Sequence, residues 1–150
     1  MFKHAWSVVA SSSVVNREDN SLSLFNVVEG MNVEVQKAEL DAFKKGEKIP
    51  LTVPHEIVSY IYRDDASTKQ SAKVRLDFRG PTGKKASVSE NNVVFEMGKQ
   101  NVRVRIKVRG FAVSASGRYF YDIYLFDSND KAKLVASLPL SINIEANEKN

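Results

Sequence analysis

Over long stretches of this sequence every second side chain is apolar, the rhythm of extended strands whose successive residues face opposite sides of a sheet. The clearest case is Val102-Arg103-Val104-Arg105-Ile106-Lys107-Val108-Arg109, where β-branched residues alternate with cations. Such a segment predicts a strand buried on one face and solvated on the other. Beyond it the phase slips, because Phe111 and Val113 fall out of step with Val108. Gly110 at the slip predicts a bulge or bend that returns Phe111 to the core.

The same rhythm predicts a first strand over 2–11, with Val15-Asn16-Arg17-Glu18-Asp19-Asn20 turning the chain into a second strand over 22–28. Gly30 marks a bend, after which Met31, Val33 and Val35 alternate. Strands follow over 57–63 and 73–79, and Gly80-Pro81-Thr82-Gly83 is a turn signal. The segments 93–95, 118–126 and 134–144 complete the set. Pro139 has no amide hydrogen to give to a ladder, so it belongs on an edge or beside a bulge. One stretch departs from period two: over 37–46, Leu40 and Phe43 are three apart, Glu39 and Asp41 precede Lys44 and Lys45, and Gly46 follows. That order suits a helix dipole and a glycine stop, and predicts one short helix.

About eight short strands, one helix and frequent turn signals predict an all-β chain: a two-sheet antiparallel β-sandwich, Ig-like or C2-like, with a closed barrel as the alternative. The expected organisation is a single domain over 1–145 and a loose polar tail over 146–150.

Composition narrows the class. Of 150 residues, 43% are hydrophobic and 27% charged, the balance of a globular domain. No apolar run approaches the roughly 20 residues of a membrane span. Met1 to Val9 reads as a strand rather than an export signal. The absence of cysteine removes disulfides, thiolate nucleophiles and cysteine-based zinc sites, and fits a cytoplasmic setting. Charge is uneven: residues 63–118 hold 13 Lys or Arg against 5 Asp or Glu.

The stretches Ala5-Trp6-Ser7-Val8-Val9 and Ser21-Leu22-Ser23-Leu24-Phe25-Asn26-Val27-Val28-Glu29, taken with Ser116-Gly117-Arg118-Tyr119-Phe120 and Ala136-Ser137-Leu138-Pro139-Leu140-Ser141-Ile142, resemble a family of small bacterial proteins with no established activity. The resemblance covers the two ends of the chain better than its middle. It implies a bacterial β-sandwich and transfers no catalytic residue.

The candidate chemistry begins with the cations. Arg103, Arg105, Lys107 and Arg109 share one strand face, and Lys73, Arg75 and Arg79 repeat the pattern on another strand, interrupted by Asp77. If those strands were neighbours, they would present a cationic face able to bind nucleic acid or another polyanion. The plainer reading is a solvated face whose cations pair with acids or guard an edge. No aromatics interleave with the 103–109 stripe, as base stacking would require.

A second candidate is aromatic. Phe120, Tyr124 and Phe126 oppose the expected core set Tyr119, Tyr121, Ile123 and Leu125, so that strand is apolar on both faces. The outward set either meets a protein partner or a second copy of the chain, or is covered by the helix bearing Leu40 and Phe43.

The remaining polar clusters have structural readings. Asp64-Asp65 and Asp127-Ser128-Asn129-Asp130 resemble calcium-binding loops only thinly and suit Asx turns. His4 and His55 lack neighbours at metal-ligand spacing and read as packed or capping residues. Ser11-Ser12-Ser13 stands where the first strand is expected to end, outside any nucleophile motif. No metal, cofactor or catalytic residue is assigned. The sequence thus leads to a non-catalytic interaction or structural module acting by surface recognition, with polyanion binding as the alternative.

Overall fold

A computed structural model of the chain describes residues 1–147. It is all-β apart from one helix. The strands are β1 (Phe2–Val15), β2 (Leu22–Val27), β3 (Gly30–Val35), β4 (Ile49–Leu51), β5 (His55–Arg63), β6 (Gln70–Arg79), β7 (Lys85–Phe95), β8 (Asn101–Val108), β9 (Phe111–Val113), β10 (Gly117–Phe126) and β11 (Ala132–Ala146). Helix α1 (Lys37–Lys44) lies between β3 and β4.

The strands form three sheets: β2-β1-β5-β8, β3-β11-β10-β6-β7, and the pair β4-β9. The five-stranded sheet curls into a half-barrel. Two particulars correct the expectation of two antiparallel sheets. The β4-β9 pair is a third sheet, and β3 runs parallel to β11. The parallel pairing arises because the chain crosses at Val28–Glu29 from the four-stranded sheet to the five-stranded one. There Val28 N–H donates to the Val9 carbonyl at 2.8 Å and the Glu29 carbonyl accepts from Ser141 N–H at 3.1 Å.

The phase slip at Gly110 is likewise a change of sheet rather than a bulge. The chain leaves β8 and starts β9 against β4, passing so close to the Leu51 carbonyl that a Cβ on Gly110 would lie 2.5 Å from its oxygen. Only glycine fits there. Phe111 still reaches the core, packing at 5.2 Å from the Phe78 ring and 5.6 Å from that of His55.

Period-two patterning places the core. Tyr119, Tyr121, Ile123 and Leu125 of β10 are buried beside Val74, Leu76 and Phe78 of β6 and Leu140, Ile142 and Ile144 of β11. Ile57 and Ile61 of β5, Val104 and Val108 of β8, and Val9 of β1 join the same cluster from the four-stranded sheet. At about 1.5–3 kcal/mol per fully buried large apolar side chain, this cluster is the main driving term for folding.

Pro139 illustrates how an edge is placed. Ser141 N–H points to the β3 side of β11, and alternate residues of a strand point the same way, so Pro139 turns its missing donor to that side too. The register of β3 begins only at Ser141, hence Pro139 deprives no ladder of a bond. Strand β11 runs into the segment expected as a tail over 146–150: Ala146 is its last residue, and Asn147 N–H donates to the Val35 carbonyl at 2.8 Å. Residues 148–150 lie outside those described.

Candidate functional site

The two basic sets do not share a face. Lys73, Arg75 and Arg79 stand on β6 of the five-stranded sheet, whereas Arg103, Arg105 and Lys107 stand on β8 of the four-stranded one. Arg109 falls just beyond β8. The extended cationic surface that adjacent strands would have made is therefore absent. Instead, the β6 cations meet the other candidate set, the outward aromatics of β10.

Antiparallel register sets Phe120 opposite Arg79, Asp122 opposite Asp77, and Tyr124 opposite Arg75. Directly opposed residues point to the same face, so aromatic rings and guanidinium groups are brought together. The Arg79 guanidinium lies 4.3 Å from the Phe120 ring centre, that of Arg75 4.4 Å from Tyr124, and the Lys73 ammonium 4.4 Å from Phe126. Each cation–π contact contributes about 0.5–1 kcal/mol at such half-exposed positions. The aromatics are thus covered by β6 cations. Helix α1 packs chiefly on β11 and β4, which corrects the expectation that it would screen them.

Carboxylates complete the ladder. Asp122 is buried at its centre, accepting from Arg79 Nε at 2.8 Å, Arg79 Nη2 at 3.2 Å and Ser137 Oγ at 2.6 Å. Burial by itself would raise its pKa; the bonds from Arg79 and Ser137, with the charges of Arg79 and Lys85, outweigh it and hold the group below the ordinary carboxylate value. Asp77, buried opposite, would repel Asp122 were Arg75 Nε not 3.3 Å from its Oδ1. That contact is an ion pair without hydrogen-bond alignment. Lys73 pairs with Glu90 at 2.9 Å and Asp130 at 3.5 Å. Lys85 donates to the Tyr124 hydroxyl at 2.7 Å. The result is a preorganised surface with charges of both signs.

On β8 the stripe has a structural task. Arg105 Nη2 donates to the Ser13 carbonyl at 2.9 Å, and its Nε lies 3.7 Å from Glu56 Oε2. Ser13 Oγ donates to the same Glu56 oxygen, and Arg103 Nη2 donates to the Asn20 carbonyl. Two of the four cations therefore latch the β1–β2 hairpin to the sheet. Lys107 and Arg109 are exposed.

The serine run also lies elsewhere than expected. β1 continues through it to Val15, with Ser11 Oγ donating to the Phe25 carbonyl at 2.8 Å and Ser13 buried against Glu56. His55 is packed: its Nδ1 donates to the Val53 carbonyl at 2.7 Å, which leaves Nε2 to accept from the Tyr121 hydroxyl at 2.6 Å. Burial lowers the His55 pKa against a smaller raising effect of that carbonyl, and burial raises that of Tyr121. Asp127 Oδ1 accepts from the amides of Asn129 and Lys131, Asp65 Oδ1 from that of Ser67, and Asp64 pairs with Lys3, so these acids shape turns and surface pairs.

Two features escaped the sequence reading. Trp6 stacks on Tyr60 at 5.7 Å, and Trp6, Val14, Phe25 and Val27 are all exposed on the four-stranded sheet. The signal was in β2, where Leu22 and Leu24 occupy one face while Phe25 and Val27 occupy the other. The second is Arg63, only 2% exposed, whose guanidinium donates to the carbonyls of Lys99 at 2.9 Å, Thr68 at 2.7 Å and Glu96 at 2.8 Å. Nothing in a lone arginine at a strand end announces that three loop carbonyls converge on it.

No family model matches the chain, and no curated protein matches it.

Proposed function

We propose that this chain is a non-catalytic recognition module that binds a protein partner through the outer face of its five-stranded sheet. The observation that carries this reading is the ladder of Phe120 on Arg79, Tyr124 on Arg75 and Phe126 on Lys73. Aromatic and arginine side chains dominate interface hot spots. Stacked in advance, they lose little rotamer freedom on docking. Asp77, Asp122, Glu90 and Asp130 among the cations favour a surface of mixed charge over a polyanion.

The wider reading places the chain in the cytoplasm as a member of the small bacterial family it resembles. In it the two larger sheets serve as the layers of a sandwich, which their shared core supports. The test is affinity capture from the native cell with the wild-type chain and with Phe120→Ala/Tyr124→Ala, each with and without nuclease. A protein held by the wild type, lost by the variant and indifferent to nuclease supports the reading. Identical captures by both chains, or oligonucleotide binding that weakens steeply with salt, would overturn it.

A further inference from the structure

β8 is the last strand of the four-stranded sheet and β7 the last of the five-stranded one, so each offers an edge with no strand beside it. One bond fixes which residues of β8 serve its free edge. Arg63 N–H donates to the Gln100 carbonyl at 2.8 Å, and the pairing of β5 with β8 keeps one register from Tyr62 opposite Asn101 to His55 opposite Val108. Alternate residues send their backbone groups the same way, so Val102, Val104 and Ile106 serve β5 while Arg103, Arg105 and Lys107 turn theirs outward. Among the described residues these three have no main-chain partner on the outer side.

Between the edges of β7 and β8 runs a groove of about 550 Å³. Val93 of β7 and Val102 and Ile106 of β8 line it and are half-buried at the margin of the core. Arg103, Arg105 and Lys107 line it too, and no carboxylate does. Arg103 and Arg105 donate to the neutral carbonyls of Asn20 and Ser13, which leaves their charge in place, and Glu56, 3.7 Å from Arg105 Nε, offsets that residue alone. Lys107 is exposed and, among the described residues, pairs with no acid. Glu90 of β7 lies outside the groove lining and is held by Lys73 at 2.9 Å.

We propose that the free edge of β8 takes an extended peptide segment of a partner protein, its apolar side chains inward over Val93, Val102 and Ile106 and its acidic side chains beside Arg103 and Lys107. Strand addition obtains affinity from main-chain bonds and specificity from alternate side chains. Charge selects the occupant. A second copy of this chain pairing β8 with β8 would set cations opposite cations, which is unfavourable, whereas a strand bearing alternate acids meets them with the opposite sign. The site shares no residue with the ladder of Phe120, Tyr124 and Phe126. Phe120→Ala/Tyr124→Ala should leave peptide binding at β8 unchanged, so the two readings fail separately.

The test uses the full chain and a capped hexapeptide of alternating valine and glutamate, with the valine–lysine counterpart as comparison. Amide hydrogen exchange by NMR should show Arg103, Arg105 and Lys107 slowed by the acidic peptide and unchanged by the basic one. Lys107→Glu reverses the free charge and should weaken binding about tenfold. Lys107→Pro removes an outward amide that no native strand uses and should weaken it at least as much, while unchanged exchange at Val104 reports that the native ladder to β5 is intact. No slowing at the three outward amides under saturating peptide, equal binding of the two peptides, or binding unaffected by both substitutions would overturn the proposal.

Discussion

Arg79 is gripped from two sides: its Nε lies 2.8 Å from Asp122 Oδ2, while its guanidinium stacks 4.3 Å from the centre of the Phe120 ring. The carboxylate beneath it is 1% exposed. A charge so placed is tolerable only because every oxygen has a donor, so the pair, the ring and Ser137 act as one unit.

Removing one member should therefore cost more than a surface ion pair. Asp122→Ala leaves Arg79 and Lys85 without their central acid and is expected to lower stability by about 3 kcal/mol. Asp122→Asn retains an acceptor for Ser137 and should cost less. Urea unfolding of both variants decides the order.

Acid should act through the same residue. The Asp122 pKa is depressed in the folded chain, so its contribution is fully present above the ordinary carboxylate value of about 3.9 and is lost as pH falls through the lower folded value. Asp122→Asn should show a shallower loss of stability in that acid range than the wild type.

At milder pH the relevant groups are the histidines. Both His55 and His4 have folded pKa values lowered by burial, so the unfolded chain takes up protons first. Stability should be full above about pH 6.5 and decline as pH drops below it. Protonated His55 can no longer accept from Tyr121, whereas the Asp122 carboxylate is ionised in both states in this window. His55→Gln should flatten the decline between pH 7 and pH 5 in part, leaving the share of His4.

Arg63→Lys tests the buried guanidinium. One ammonium cannot reproduce a planar fork aimed at three carbonyls, so a loss of about 2–4 kcal/mol is expected, with faster amide exchange at Gly98, whose N–H donates to the Ala66 carbonyl. Unchanged stability would contradict the role given to Arg63.

The hairpin latch separates the cations of β8. Arg105→Ala should cost about 1 kcal/mol and speed exchange in the β1–β2 hairpin, whereas Lys107→Ala should stay within about 0.5 kcal/mol. Equal effects would return both residues to a common solvated stripe.

Much of this architecture was legible in the residue pattern. The 102–108 alternation gave β8 with Val104 and Val108 inside, the turn residues gave the hairpin after Val15, and the inward set of β10 is buried as its spacing requires. The helix was legible from its charge order, and Glu39 accepts the Gln36 amide at 2.9 Å as a helix start should. The site was legible only in halves: the sequence offered Phe120, Tyr124 and Phe126 as one set and Lys73, Arg75 and Arg79 as another, without indicating that β6 and β10 are neighbours.

By itself, then, the order of residues determined most of the strands, their side-chain facing and the break at Gly110, because these depend on local sterics and on the twofold alternation of a single strand; it marked neither β4 nor the first eight residues of β7. Tertiary structure alone decided that Arg79 lies over Phe120, that Arg105 holds the hairpin, and that Arg63 gathers three loop carbonyls. Those contacts join residues 5 to 92 positions apart. Which strands become neighbours is settled by the packing of the whole core, and no local rhythm encodes it.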